Sequence, residues 1–324
     1  METGLLESWN YKSYPFRFQF GDRTLFSVTV NLMTRGFGIN ESVTAHATPS
    51  APTEPLPANC DGFLIRSLQV SSELPAISRE SGYVRYIPSL YPRYFIDMAQ
   101  PFSEYTGKFS SKTRSTINRK LKKFAEHSGG ELIWKSYKSV DEVREFHKLA
   151  RSLSSRTYQE ALLDAGLPDS EEFLQGMTSK ASAGSVRAYL LFHAGKPVAY
   201  LYCPVDQGVL LYEYLGYDPE YRDWSVGTIL QWLALENLFS EGTFTHFDFT
   251  EGESEHKRLF STHSIQCANV FFLRDTLRNN LLARAQYLTN RFSTLLGNIL
   301  EHYGLKARIK RLIRFGYRGK QLAQ

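Results

Sequence analysis

The hydrophobic pattern is densest in the middle of the chain. Three short apolar runs, Ala188–His193, Pro197–Pro204 and Val209–Leu215, are rich in Tyr, Leu and Val and are separated by Gly-containing turns. Such runs predict an antiparallel meander of three strands. A loop with Ser and Gly follows, and the largely apolar run Ile229–Phe239 then predicts a helix. The run Thr245–Phe249 predicts one further strand.

Helices are predicted on both sides of this meander. Upstream, Ser111–His127 predicts a helix, and two segments that open with capping motifs, Ser139–Ser152 and Asp169–Ser182, predict two more. Downstream, Ile265–Leu273 predicts a closing strand and Thr276–Tyr303 a long helix. The helical spacing of apolar residues predicts that one face of the long helix packs on another element. These residues are Leu277, Leu281, Leu282, Ala285 and Leu288.

The chain divides into three parts on this pattern. The first hundred residues predict several strands and a long Ser-, Thr- and Pro-rich loop over Asn40–Asn59. The predicted strands are Pro15–Phe20, Thr24–Leu32, Gly62–Val70 and Tyr83–Ile87. We therefore expect an N-terminal α/β half over residues 1–100, a central domain over 101–275, and a C-terminal helix with a tail over 276–324.

Composition narrows the class of protein. The chain has 324 residues, of which 42% are hydrophobic, and this is enough for one or two domains with a sizeable core. No run of about 18 apolar residues occurs, so no membrane-spanning helix is expected. Cys60, Cys203 and Cys267 are isolated, which argues against a disulfide framework and a zinc site. We expect a cytoplasmic protein that binds neither metal nor DNA.

The loop ahead of the predicted central helix carries candidate binding chemistry. It contains Ser and Gly and opens directly into the apolar run. The backbone N–H groups at such a helix start point at one spot, and the helix dipole adds positive potential there, so a phosphate or pyrophosphate could bind. The predicted phosphate-binding residues are Arg222, Ser225, Val226, Gly227 and Thr228.

Four motifs carry a resemblance to a known family. Arg222-x-x-Ser225-x-Gly227 resembles the phosphate loop of the GNAT acyltransferases, with Ser225 where that family has Gly. Lys112-Thr-Arg114-Ser-Thr-Ile117-Asn-Arg119-Lys120, Gly216-Tyr217-Asp218-Pro219-x-Tyr221 and Asp248-Phe249-x-x-Gly252-x-x-x-x-Lys257 resemble the CelD-like acetyltransferase group. That group is related to the Fem-type aminoacyl transferases of peptidoglycan synthesis.

The resemblance implies a fold and an activity. The implied fold is α/β (α+β), with a mixed, largely antiparallel central sheet flanked by helices and two GNAT-like halves in tandem. The implied co-substrate is acetyl-CoA or another acyl-CoA. The implied reaction transfers the acyl group from the thioester to an amine of an amino sugar, an amino acid or a related metabolite, with polysaccharide biosynthesis as the expected setting. Two alternatives remain, namely a Fem-type transferase that uses aminoacyl-tRNA and a non-catalytic, membrane-docked protein.

Three residues are candidates for proton transfer. Glu213 alternates with Tyr212 and Tyr214 on the third meander strand, so its carboxylate could act as the general base or could simply face solvent. Asp248 lies between two Phe residues, where a carboxylate is costly unless it is paired or functional. It is either a base or a partner of Lys257 or Arg114. Tyr217 is a candidate acid for the leaving thiolate, or a core residue.

Six residues are candidates for substrate binding. The helix Ser111–His127 is strongly basic, and its cations could hold an anion of the carrier or substrate, bind tRNA in the alternative, or only form a solvated face. The Ser155–Tyr158 segment supplies an Arg and an aromatic that the resemblance places at the acceptor cleft. The predicted residues are Lys112, Arg114, Arg119, Arg156, Tyr158 and Lys257.

The C-terminal tail has a pattern of its own. Gly304–Gln324 holds seven basic residues and no acid, with apolar residues interleaved. This pattern predicts either an amphipathic helix on an anionic membrane surface or a solvated tail docked on the core. The first alternative implies a peripheral location on the inner face of the membrane.

Overall fold

The computed structural model describes residues 9–20, 23–44, 49–70, 74–157 and 166–302. Contacts divide the chain into a first unit, residues 1–91 with 266–324, and a second unit, residues 92–265. In chain order the elements are β1 (Asn10–Phe20), β2 (Arg23–Gly36), α1 (Ile39–Thr44), β3 (Gly62–Gln69), β4 (Ile77–Glu80), β5 (Tyr83–Tyr86), β6 (Leu90–Asp97), α2 (Phe102–Gly107), α3 (Ser111–His127), β7 (Ile133–Tyr137), α4 (Val140–Ser154), α5 (Glu171–Ser182), β8 (Val186–His193), β9 (Lys196–Asp206), β10 (Val209–Leu211), β11 (Tyr214–Tyr217), a 3-10 helix (Pro219–Trp224), α6 (Val226–Glu241), β12 (His246–Asp248), α7 (Glu255–Phe260), β13 (His263–Arg274) and α8 (Leu277–His302).

The first unit is a sheet with a helix packed on it. β1 and β2 form an antiparallel hairpin, β2 runs parallel to β3, and β3 is antiparallel to β13. β13 also pairs with β5, which pairs with β4. Leu282 and Ala283 of α8 join Phe16, Val30 and Tyr86 of the sheet in one buried cluster. The unit is discontinuous in sequence because its last strand and helix come from the C-terminal part of the chain.

The second unit is a mostly antiparallel sheet with a buried helix. β8 and β9 form the predicted meander together with β10 and β11, and β7 adds an antiparallel strand beside β8. β10 runs parallel to β12. β12 pairs with β6 on its other side. Helix α6 is apolar around most of its surface, and Ile229, Leu230 and Leu235 pack with Leu201 and Phe247 of the sheet. A helix of this composition has to be enclosed, and it therefore forms the centre of the unit.

The predicted fold class is confirmed, since helices flank largely antiparallel sheets. Local signals located the elements well: α3 spans the predicted Ser111–His127, and the capping box of Ser139 and Glu142 starts α4. Strands β4 and β6 were not predicted from the sequence. Pro92 lies within β6 but outside the three residues, Phe95, Ile96 and Asp97, that pair with β12. The three-part division of the chain stays a prediction.

The predicted packing face of α8 was wrong in part. Leu282 is buried, but Leu277, Leu281 and Leu288 are exposed. The buried side is set by Asn279, Leu282, Ala283 and Gln286. Polar residues can face the sheet there because they meet backbone acceptors: the Asn279 amide donates to Arg274 O at 3.1 Å and the Gln286 amide to Arg17 O at 2.8 Å.

Two further sequence-based predictions concern the C-terminal part of the chain. The tail Gly304–Gln324 lies outside the described residues. Among the residues that the structure does describe, no helix has the length and apolar character needed to cross a membrane.

A glycine sets the spacing of two strands in the first unit. A Cβ atom at Gly62 would lie 2.2 Å from the backbone oxygen of Phe272 and 2.8 Å from the Cα of Leu273. Backbone atoms in a sheet cannot rotate away, so Gly62→Ala should lower the free energy of unfolding by about 3 kcal/mol. Urea unfolding measures this change. The matched control is Gly36→Ala, because a Cβ atom there meets nothing within 4 Å; equal stabilities of the two variants would contradict the prediction.

Candidate active site

Two parallel strands separate in the middle of the second unit. β10 pairs with β12 over Val209–Leu211 and His246–Asp248, and the ladder ends with Tyr212 N–H donating to Asp248 O at 2.8 Å. The chain then continues as β11, which pairs with β9 from Tyr214 to Tyr217. The separation opens the sheet beside the end of β12 and leaves one side of β11 facing the opening.

The break between the strands occurs at Tyr212 and Glu213, and Gly216 does not cause it. Gly216 lies within β11, paired with Tyr200. A Cβ atom at Gly216 would lie 2.4 Å from the Cε1 atom of Tyr200, so the glycine makes room for that ring. Its role is close packing, and the break instead follows from the exchange of strand partners at Tyr212.

The direction of the backbone N–H groups of β11 follows from its ladder. Asp218 N–H donates to Val198 O at 2.9 Å. Because backbone groups alternate sides in an antiparallel ladder, Gly216 also faces β9. The N–H groups of Leu215 and Tyr217 therefore point away from β9, toward the side from which β12 has diverged. Donors at such a position can polarise a carbonyl group.

The predicted phosphate-binding loop forms a helix N-terminus. Ser225 joins the 3-10 helix to α6 in the left-handed conformation, with φ +56° and ψ 36°. Its carbonyl accepts from the N–H groups of Thr228 (2.9 Å) and Ile229 (3.1 Å), and its side chain makes no capping bond. The first N–H groups of α6, on Val226 and Gly227, are thus directed out of the helix start. This geometry suits an anion, and Arg222 is exposed beside it.

Gly227 brings the helix start against β11. A Cβ atom at this residue would lie 3.4 Å from Leu215 Cδ2 and 3.4 Å from Tyr217 Cδ1. The helix N-terminus and the outward-facing N–H groups of β11 are therefore neighbours. Tyr217, the predicted acid, is half-buried at this contact.

Aromatic stacking fixes the loop to its surroundings. Trp224 stacks on His127 of α3 with ring centroids 4.0 Å apart, and His127 stacks in turn on His193 of β8 at 4.5 Å. The hydroxyl group of Tyr221 lies 2.7 Å from His193 Nδ1. Arg156, a predicted substrate residue, pairs with the Asp218 carboxylate at 2.8 Å, at the start of the 3-10 helix. These contacts hold the chain on the N-terminal side of Ser225.

Glu213 lies at the break between the strands. Its side chain reaches solvent. Desolvation by the surrounding protein raises the pKa of Glu213, and Lys180 partly opposes this effect. A carboxylate with a raised pKa is a stronger base than an ordinary one, so its position and its electrostatics both suit proton abstraction.

Asp248 is fully buried, and its ion-pair partner is Arg93, while the predicted partner Lys257 interacts with it through charge without a direct ion pair. Arg93 Nε lies 3.1 Å from its Oδ2 atom, Arg93 Nη2 lies 2.5 Å from the same atom, and Thr250 N–H donates to its Oδ1 atom at 2.8 Å. The predicted partners were Lys257 and Arg114. Three donors occupy this carboxylate, which favours a structural role over that of a base. Sequence reasoning missed Arg93, although the Tyr-Phe-Ile run after it has strand character.

A buried polar cluster lies near the end of β12. Gln231 of α6 is fully buried, and its Oε1 atom is hydrogen-bonded to His256 Nε2 of α7. Burial first, and then the charges of Lys120 and Lys257, lower the pKa of His256 to about 4. The imidazole is therefore neutral near pH 7, with its Nε2–H donating to Gln231. The sequence signal for this cluster was Gln231, one of three polar residues in the largely apolar run Ile229–Phe239.

The remaining predicted substrate residues have varied surroundings. Lys112 and Arg119 are exposed on α3, and Arg114 donates to Phe109 O at 2.5 Å. Lys257 is half-buried and donates to Glu251 O at 2.6 Å. Tyr158 lies outside the described residues. Within the described part of the chain, no group of three His, Cys, Asp or Glu residues is arranged to hold a metal ion.

The comparisons with known proteins agree with this geometry. The family model described as acetyltransferase (GNAT) domain matches residues 111–258. This range runs from α3 to α7 and contains the loop, the strand break and Asp248. Residues 111–258, which lie in the second unit, are thus similar to a GNAT acetyltransferase domain. No curated protein matches the sequence.

Several solved structures show a distant similarity to this chain. The C-terminal domain (DUF2156) of a putative lysylphosphatidylglycerol synthetase from Agrobacterium fabrum is 11% identical, with 70% of this chain and 71% of that chain covered and a TM-score of 0.45. L-PGS from Bacillus licheniformis is 13% identical, with 70% and 72% covered and a TM-score of 0.42. FemX is 10% identical, with 84% and 90% covered and a TM-score of 0.46.

The left-handed conformation of Ser225 gives a stability prediction. A residue with a Cβ atom pays about 1–2 kcal/mol for this conformation, whereas Gly does not. Replacing Ser225 with Gly removes this cost, but the flexible Gly also loses more conformational entropy when the chain folds. Ser225→Gly should therefore raise the free energy of unfolding by about 0.5 kcal/mol. Ser225→Val should lower it by about 2 kcal/mol because a β-branched residue is a steric outlier at positive φ.

Urea unfolding of the three proteins should therefore give the highest free energy of unfolding with Gly at this position, a lower one with Ser and the lowest with Val. The control is Ser179→Gly in α5, where the backbone is right-handed and helical and the same replacement should be destabilising. A destabilising Ser225→Gly would show that the loop does not hold this conformation in solution.

Proposed function

We propose that this protein is an acyl-CoA-dependent N-acyltransferase, with acetyl as the expected acyl group. The acceptor is an amine of an amino sugar, an amino acid or a related metabolite. One observation carries the proposal: the helix start at Ser225 contacts β11 through Gly227, beside the point where β10 leaves β12. An anion site and a carbonyl-polarising edge are thus adjacent, as thioester chemistry requires.

The carrier is held at the start of α6. Its pyrophosphate accepts hydrogen bonds from the N–H groups of Val226 and Gly227, where the helix dipole adds positive potential. Ser225 and Thr228 flank this position, and Arg222 contributes a mobile positive charge from the surface. The acyl end of the carrier then extends along β11 into the opening between the strands.

The transfer itself uses β11 and the residue at the strand break. The thioester carbonyl accepts a hydrogen bond from Leu215 or Tyr217 N–H, which stabilises negative charge on the oxygen as the amine attacks. Glu213 removes a proton from the attacking amine. The C–S bond breaks as the amide forms, and the departing thiolate takes a proton from the Tyr217 hydroxyl. Asp248, paired with Arg93, keeps the end of β12 in place.

A second function is supported by the charge of α3. Lys112, Arg119, Lys122 and Lys123 are exposed on this helix, and no acid precedes Glu126 within it. Such a face suits the phosphates of a nucleic acid. A Fem-type transferase would use aminoacyl-tRNA as the acyl donor at the same strand opening, with α3 binding the tRNA.

Calorimetric titration with acetyl-CoA tests the donor. Wild type should bind with micromolar affinity. Ser225→Asp should weaken binding at least about tenfold, because its carboxylate repels the pyrophosphate at the helix start. Ser225→Asn is the matched control, since Asn has the same shape, tolerates positive φ and has no charge. Equal affinities of the Asp and Asn variants would reject the loop as the phosphate site, and binding of aminoacyl-tRNA alone would favour the second function.

The pH dependence of turnover tests the base. Glu213 accepts a proton only when ionised, so kcat/KM for the amine should fall as the pH is lowered through its raised pKa. Glu213→Gln should lower kcat by about 100-fold or more and remove this acidic limb. Glu220→Gln, an exposed Glu of the 3-10 helix, is the control. Wild-type turnover by Glu213→Gln, measured by thiol release, would assign the base to another group.

A further inference from the structure

One face of α8 leaves a long apolar stripe exposed in the first unit. Among the side chains of this helix that the structure describes, six large apolar ones are solvent-accessible, from Leu277 at 78% exposure to Ile299 at 42%. The six residues, called the α8 stripe below, are Leu277, Leu281, Leu288, Phe292, Leu295 and Ile299. Scattered exposed Leu residues need no explanation, whereas a contiguous exposed set does.

The α8 stripe is narrow, straight and opposite to the packed side of the helix. With about 100° of rotation per residue, its six residues fall within an arc of about 60°, and the stripe is about 33 Å long. Asn279, Leu282 and Gln286, which face the sheet, lie on the other side of the helix. The helix thus has two separate faces, one packed on the sheet and one that carries the exposed stripe.

The charge around the α8 stripe identifies its partner. Helix α8 contains three Arg and a single acid, Glu301, at its C-terminal end. Arg278 pairs with Asp61 of the same unit at 2.9 Å. Arg284 and Arg291 lie along one border of the stripe, and both are exposed. An apolar stripe bordered by positive charge is the pattern of helices that lie in the interface of an anionic lipid bilayer.

A second copy of the chain fits the stripe less well. Two paired helices usually place charges of opposite sign along the borders of their apolar seam. Two α8 stripes facing each other would instead bring Arg284 and Arg291 near other arginines, because the single acid of the helix, Glu301, lies ten residues beyond Arg291. The segment Gly304–Gln324, which follows α8, adds seven basic residues and no acid. These basic residues likewise cannot neutralise Arg284 and Arg291.

We infer that the α8 stripe docks the protein on an anionic phospholipid bilayer, with its apolar residues among the acyl chains and Arg284 and Arg291 at the phosphates. The stripe belongs to the first unit and the acyl-transfer residues to the second, so this inference stands independently of the proposed reaction. A protein docked in this way would act on acceptors at or near the membrane surface.

The test measures binding of the full chain to sedimented vesicles. Wild type should bind phosphatidylcholine vesicles that contain phosphatidylglycerol, bind pure phosphatidylcholine weakly, and be released by high salt. The double variant Leu288→Asn/Phe292→Asn should bind anionic vesicles at least about tenfold more weakly because two apolar side chains no longer enter the bilayer. Arg284→Ser/Arg291→Ser should lose on the order of tenfold on anionic vesicles only.

The matched control replaces two exposed apolar residues elsewhere, Leu90→Asn/Ile133→Asn, and should bind vesicles like wild type. All variants should keep the wild-type thermal midpoint, since the altered side chains are exposed. Unchanged vesicle binding by Leu288→Asn/Phe292→Asn would overturn the inference. So would a dimer in solution that this variant converts to monomer, because the stripe would then be a seam between two copies.

Discussion

A buried ion pair determines the geometry on which the candidate site depends. Arg93 and Asp248 are almost completely enclosed, and the backbone of Asp248 also receives the last ladder bond from Tyr212. The pair joins β6 to the end of β12 at the point where β10 leaves. Desolvating two charges is costly, and removing one partner of such a pair costs about 3–5 kcal/mol. The opening between the strands therefore ends at a position that the fold cannot easily shift.

The loop at Ser225 shows strain at a functional position. A serine there holds a conformation that glycine adopts without cost, and the residues around it are fixed by stacking of Trp224 on His127 and by the Arg156–Asp218 pair. Strained backbone persists only where the surroundings determine it. The result is a helix start whose first N–H groups are directed outward. This helix start lies against β11, so the proposed anion site and the proposed carbonyl-polarising N–H groups are neighbours.

Helix α8 illustrates how one sequence pattern can serve two purposes. Its apolar residues predicted one packing face, but the fold uses a different set in which Asn279 and Gln286 meet backbone acceptors of the first unit. This leaves an apolar row bordered by arginines available for another surface. Periodicity alone reports that a helix has an apolar face, and it does not report what that face meets.

The sequence by itself determined the elements whose signals are local. Capping residues indicated the starts of α4 and α5, and the Ser111–His127 segment predicted α3. The apolar runs predicted the meander, and the Ser- and Gly-containing segment after them predicted the loop before α6. These features depend on residues a few positions apart. The tertiary structure alone decided the Arg93–Asp248 pair, whose members are 155 residues apart, the strand break at Tyr212, and the buried side of α8. Each of these depends on which strand or helix becomes a neighbour, and that choice is made by the packing of the whole chain.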